Sequence, residues 1–180
     1  GKVPPAQVPP FRAGDIETNQ SPHRYRLRQQ PPISFEGGNE RIVTQAEFPI
    51  QSTLSASLLH IERGALREMH WHPNADEWAF VLKGNAEVGI FGGHGRSKKE
   101  HVAKGDVFFI QQGFGHYIKN TSDDPFEVII VFNSPHYQQI SLSQWLGASP
   151  AHLLADNFGL SEDVVKTLPT DLIGIVKGKS

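Results

Sequence analysis

Four side chains have the types and spacing of a metal site. His70 and His72 flank Trp71. In an extended strand residues i and i+2 point to one face, so the two imidazoles project together and Trp71 points away. Glu77 follows the run Pro73–Asn74–Ala75–Asp76, long enough to turn the chain and bring a carboxylate to the same space. His116 adds a third imidazole from a later strand region. Three neutral imidazoles and one carboxylate make a donor set of borderline hardness, suited to Mn, Fe, Ni, Cu or Zn. On an octahedral ion these four donors leave open positions, which a catalytic metal requires. A lone His-x-His is often just a pair of exposed strand histidines. His23, His60, His94, His101 and His152 have no partnered spacing and read as surface or internally satisfied residues, while His136 is ambiguous.

The elements that must position these groups are mostly strands. Residues 54–61, 77–82, 86–91, 107–110 and 126–132 are rich in β-branched and aromatic residues or alternate in polarity. Turn signals separate them: Pro73–Asn74, Lys83–Gly84–Asn85, Gly92–Gly93–His94–Gly95, Lys104–Gly105–Asp106 and Ser122–Asp123–Asp124–Pro125. Many short, closely spaced strands predict an all-β sandwich or barrel. After residue 140 the period changes. Ser141 with Gln144 forms a capping-box pattern, Ser149–Pro150 reads as an N-cap with proline at the first helical position, Gly159 closes that helix, and Ser161 opens another. Short C-terminal helices are predicted. Residues 1–32 contain Pro4, Pro5, Pro9, Pro10, Pro22, Pro31 and Pro32, which rules out regular helix and reads as an extended arm or linker, either a free tail or a segment packed on another domain or subunit. The expected division is an arm at 1–32, a barrel at 33–140 and a helical segment at 141–180.

Composition narrows the function classes. A length of 180 residues fits one domain with a real core. With no cysteine, disulfides and thiolate metal sites are excluded. A net charge of −2 with mixed signs gives no electrostatic case for nucleic acid or an anionic membrane surface. No apolar run reaches the roughly 18 residues of a membrane span. The start of the sequence does not read as a signal peptide, and cytoplasmic, periplasmic or secreted locations all stay open.

The glycines around the histidines add specificity. Gly64, His70, His72, Glu77 and Gly84 have the spacing of the first cupin motif, and Gly105, Gly113, His116 and Asn120 that of the second, with Gln111 where proline is usual. The chain therefore resembles the cupins, whose fold is a double-stranded β-helix (jelly-roll) barrel. Within them, Gly64–Asn74, Gly115–Asn120 and Ser141–Leu146 look like the manganese bicupin oxalate decarboxylases. Tyr25–Leu27 and Glu36–Gly38 fit the start of that family's second cupin. The likeness spans about residues 22–150. It implies either a free-standing relative or half of a bicupin.

The resemblance implies Mn(II) on His70, His72, Glu77 and His116, with Fe, Ni, Cu, Co or Zn as alternatives. It implies oxalate as substrate, dioxygen as a co-reactant, and a homo-oligomer or a paired cupin domain. Arg67 matches the oxalate-orienting arginine; a guanidinium forks onto a carboxylate. Arg67 has odd parity with His70, so it is a surface arginine unless the strand bulges. The family's lid glutamate has no counterpart in residues 133–139, and Ile130 stands where a second glutamate would be. His136 and Tyr137 are the candidate proton carriers in its place. The expected activity is decarboxylation of oxalate to formate and CO₂. The alternatives are an oxalate oxidase releasing H₂O₂, a non-catalytic metal-holding domain, and another cupin chemistry such as a dioxygenase or a sugar-phosphate isomerase.

Overall fold

The computed structural model describes residues 23–178. Most of the proline-rich segment, residues 1–22, lies outside them. Residues 23–32 carry one 3₁₀ turn at Leu27–Gln29. They run along the barrel: the Tyr25 ring sits 5.8 Å from that of Phe48, and buried Gln30 donates Nε2–H to the Ile42 carbonyl at 2.8 Å.

Strands in chain order are β1 (Ile33–Phe35), β2 (Gly38–Val43), β3 (Ser55–Ile61), β4 (Leu66–Trp71), β5 (Glu77–Lys83), β6 (Asn85–Phe91), β7 (Ser97–Ala103), β8 (Val107–Ile110), β9 (Gly115–Asn120), β10 (Phe126–Phe132), β11 (Ile140–Ser141) and β12 (Ile175–Val176). One sheet runs β1-β2-β3-β10-β5-β8 and the other β11-β4-β9-β6-β7, with β12 added on β4. The chain crosses between sheets from β3 to β4, β4 to β5 and β5 to β6, as a jelly roll requires.

The core lies between the two sheets, and alternation puts it there. β10 buries Phe126, Val128, Ile130 and Phe132 and turns the residues between them outward. Each such side chain contributes about 1.5–3 kcal/mol of transfer free energy. β5 buries Ala79 and Val81 on the same face as Glu77, so the carboxylate has inward parity. The motif glycines Gly64 and Gly84 take φ of 67° and 79° at the ends of turns, a region that disfavours side chains. Asn120 is a clamp: its buried amide donates to the carbonyls of Ile61, Glu62 and Asp124, and its Oδ1 accepts from Ser122.

The C-terminal helices are α1 (Leu142–Ala148), α2 (Ala151–Phe158) and α3 (Glu162–Val165). Ser141 and Ser161 cap α1 and α3 by accepting from the Gln144 and Val164 amides, and Gly159 ends α2 in the left-handed region. The expected Ser149 cap is shifted. Pro150 is the cap residue of α2, and Ser149 instead bonds back to the Trp145 carbonyl. Residues 141–180 are also not purely helical, because β12 returns to the sheet beside Arg67 and Leu66.

Candidate metal centre

The site grows from two adjacent strands and the start of a third. β4 supplies His70 and leads to His72, β9 supplies His116 directly opposite His70, and β5 opens with Glu77. All four are buried, and their ligating atoms lie within 4.8 Å of one another. The His70 and His116 rings are 4.2 Å apart between centroids, and those of His70 and His72 are 5.0 Å apart.

Each imidazole is fixed by the backbone. Nδ1 of His70 faces the Glu68 carbonyl at 2.7 Å, Nδ1 of His72 the Gln138 carbonyl at 2.7 Å, and Nδ1 of His116 the Phe114 carbonyl at 3.0 Å. A carbonyl only accepts, so each Nδ1 carries the proton and each Nε2 keeps its lone pair for an ion. The Nε2 atoms of His72 and His116 stand 3.3 and 3.1 Å from Glu77 Oε2. Among the described residues, Glu77 Oε1 is buried with no hydrogen-bond partner, and His116 Nε2, for all its closeness to Glu77, has none in a usable direction. Unpartnered buried polar atoms cost about 1–3 kcal/mol each. A cation at their meeting point removes that cost, so the donor set fits a divalent ion.

Electrostatics agree. Burial lowers the His70 pKa well below its ordinary value, and Arg67 and the other two imidazoles lower it further, so the ring stays neutral. Burial pushes the Glu77 carboxyl up, but positive charge at the neighbouring His116 and His72 outweighs it and holds Glu77 well below the usual carboxylate range, a role that a bound cation would take over when the imidazoles are neutral.

Arg67 enters the same cavity. The β4–β9 register slips by one residue between Arg67 and His70: Arg67 pairs with Ile118, and His70 with His116. This bulge cancels the odd parity. Arg67 is 3% exposed. Its guanidinium donates to the Gly174 carbonyl at 3.3 Å, to Tyr137 Oη at 3.2 Å and to Gln139 Oε1. Tyr137 lines the cavity, and its hydroxyl donates to Gln139 at 2.7 Å. Burial, and then Glu40, push the Tyr137 pKa far up, so it stays a neutral hydroxyl. His136 is exposed and is not among the residues lining the cavity. Ile130, where the resemblance would put a second glutamate, lines the cavity.

Residues 133–139 close the cavity as a strap. Asn74 Nδ2 donates to Ser134 Oγ at 3.0 Å and to the His136 carbonyl at 2.8 Å, and Asp76 exchanges two 2.8 Å hydrogen bonds with Asn133. Closed in this way, the cavity holds about 10 Å³ of free space, room for one ion or water.

One cavity residue escapes sequence reasoning. Glu40 on β2 is 4% exposed and lines the cavity. Its Oε1 accepts from Ser57 Oγ at 2.5 Å, and its Oε2 is 3.8 Å from Arg67. A carboxylate two residues before Ile42, at inward strand parity, was the available signal. The polar run Asn39–Glu40–Arg41 hid the strand.

Fold and site together define a class. The chain belongs to the cupin family, which residues 25–166 match. It is similar to the oxalate decarboxylase of Bacillus subtilis (strain 168), 34% identical over 158 residues, covering 88% of this chain and 41% of that protein. It also resembles germin-like protein subfamily 2 member 1 of Arabidopsis thaliana, 37% identical over 129 residues, with coverage of 66% and 57%. The solved structure of the B. subtilis oxalate decarboxylase at pH 4.6 superimposes with a TM-score of 0.84 at 32% identity, covering 96% of this chain and 47% of that one. The chain thus spans less than half the length of the decarboxylases it matches and resembles one cupin domain of such a protein. Among the described residues no helix is long and apolar enough to cross a membrane.

Proposed function

We propose that this domain binds Mn(II) through His70, His72, Glu77 and His116 and acts on oxalate, giving formate and CO₂. The observation that carries the reading is Arg67, a buried guanidinium in the same cavity as the metal donors. A small dianion bridging a metal and a fork-shaped cation satisfies both of its carboxylates at once. The metal, when bound, supplies Lewis acidity and electron-transfer capacity at the open positions. The protein's own groups do the rest. Arg67 holds the far carboxylate. Tyr137, a neutral hydroxyl, accepts from Arg67 and fixes its plane. Phe132 and Ile130 keep the walls apolar, so the charges act in a low dielectric. The strap residues 133–139 must lift to admit oxalate, since the closed cavity of about 10 Å³ is filled by an ion.

Elemental analysis of protein purified from Mn-supplemented cells, beside an oxalate assay that reads both formate and H₂O₂, tests the reading. Formate and CO₂ in equal amounts above the metal-free control are expected. Peroxide in place of formate would establish the oxidase alternative, and neither product would leave a metal-holding domain.

A further inference from the structure

Glu40 stands in the cavity without a task in the scheme above. The reaction needs a proton, and residues 133–139, which run over the cavity, contain no carboxylate. Of the two substitutes the sequence offers, His136 is exposed outside the lining, and Tyr137 has its pKa driven far up, by burial first and then by Glu40. Among the described residues, Glu40 is the buried acid in the lining besides Glu77.

Its surroundings are specific. β3 supplies the Ser57 hydroxyl to Oε1 at 2.5 Å, and β4 supplies the Arg67 guanidinium at 3.8 Å from Oε2. The strap supplies Tyr137, and the far wall holds Glu77, His70 and His72. β10 contributes Ile130 and Phe132 to the cavity. Neither Ser57 nor Arg67 is a metal donor. Arg67 is shared: a substrate carboxylate that forks onto it must sit beside Glu40. Two carboxylates on one guanidinium repel unless a proton lies between them.

We propose that Glu40 is the acid of this site: a carboxylate ligand docking on Arg67 drives one proton onto Glu40, which then delivers it to the product. This rests on the oxalate reading for the second half only. In that step the bond between the two carboxyl carbons breaks and CO₂ leaves. The electron pair stays on the remaining carboxylate carbon, which takes the Glu40 proton to become formate. Glu40 is then ionised again, and the next carboxylate to dock on Arg67 draws a fresh proton onto it from solvent. One dianion and one proton give one monoanion and CO₂, so charge and atoms balance.

The test is proton uptake on binding. Formate, which does not react onward, is titrated into the Mn-loaded protein by calorimetry in two buffers of different ionisation heat. The wild type is expected to take up close to one proton per formate. Glu40→Gln, at unchanged metal content, is expected to take up almost none. No uptake by the wild type overturns the proposal whatever the variant does. Equal uptake by Glu40→Gln overturns it too. With oxalate as substrate, Glu40→Gln should lose about 100-fold or more in formate production, in the range of a lost general acid, and Glu40→Asp should retain part of it. Wild-type turnover by Glu40→Gln refutes the catalytic half. A wild type that makes no formate refutes the oxalate reading while the uptake measurement still judges Glu40.

Discussion

Nδ1 of His72 donates a 2.7 Å hydrogen bond to the carbonyl of Gln138. A metal donor and the strap over its cavity are thereby one unit. The strap cannot lift without releasing the proton-bearing side of that imidazole, and loss of the ring orientation weakens the donor at Nε2.

Removing a donor should empty the site. Glu77→Gln and His116→Ala are expected to lower bound metal, read by elemental analysis after dialysis, by more than the about 10–100-fold that outer partners command. In the wild type, chelation should reduce thermal stability. An ion at a thousandfold excess over its dissociation constant adds about 4 kcal/mol, so the melting temperature should drop on chelation and recover on Mn addition. Glu77→Gln should show little such response.

Arg67→Lys keeps the charge but loses the fork. Formate production should fall at least about tenfold, with most of the change in KM, because bidentate grip on a carboxylate is worth about 1.5–3 kcal/mol per charged hydrogen bond. Retention of wild-type KM in steady-state assays would show that Arg67 does not hold the substrate.

Tyr137→Phe separates positioning from acid chemistry. It removes the hydroxyl that accepts from Arg67 and donates to Gln139. A few-fold rise in KM with kcat nearly kept is expected; a kcat loss of about 100-fold or more would mark Tyr137 as the proton source.

The metal-free protein should lose stability in mild acid. The pKa of His70 is lowered in the folded state by burial, then by Arg67 and the neighbouring imidazoles. Above the unfolded value of about 6.5, neither state binds a proton there and stability is at its full level. Below it the unfolded chain takes up a proton that the folded one refuses, so stability falls with pH until the depressed folded pKa is reached. The slope approaches about 1.4 kcal/mol per pH unit. Urea midpoints of chelated protein between pH 8 and pH 5 would measure it, and a flat profile would contradict it.

Asp76→Ala removes the carboxylate that accepts from Asn133 Nδ2 at the root of the strap and from the Gln112 amide, and leaves the bond from the Asp76 backbone amide to Asn133. Hydrogen exchange should speed up across residues 133–139, with a loss of about 1–2 kcal/mol in global stability. Unchanged exchange would mean the strap is held elsewhere.

What the sequence revealed follows physical lines. His70, His72 and Glu77 were legible because strand parity and short gaps are local information, and His116 because the second spaced motif marks it. β10 was legible because its alternation is complete. β7 was not: its seven residues are exposed but for Val102, so pairing with β6 and not patterning makes it a strand. Arg67 was legible by likeness and opaque by parity, because a bulge is a property of two strands and leaves no mark on one. β12 was hidden for the same reason, a two-residue strand that exists only where β4 offers an edge. Glu40 was lost because a buried charge reads as surface until its partners, Ser57 and Arg67, are placed beside it.

The extra residue in β4 has a reach beyond turning Arg67 inward. Glu68, inside the bulge, gives its carbonyl to His70 and its carboxylate to Ser141, Ser143 and the Gly174 amide. The same residue that selects the tautomer of a metal donor also anchors both ends of the C-terminal wrap. Residues 141–174 therefore form a lever with its fulcrum at an imidazole. Shortening the chain there, or seizing that wrap with a binding protein, should therefore change the metal's affinity from the outer surface of the barrel, read as bound metal after dialysis.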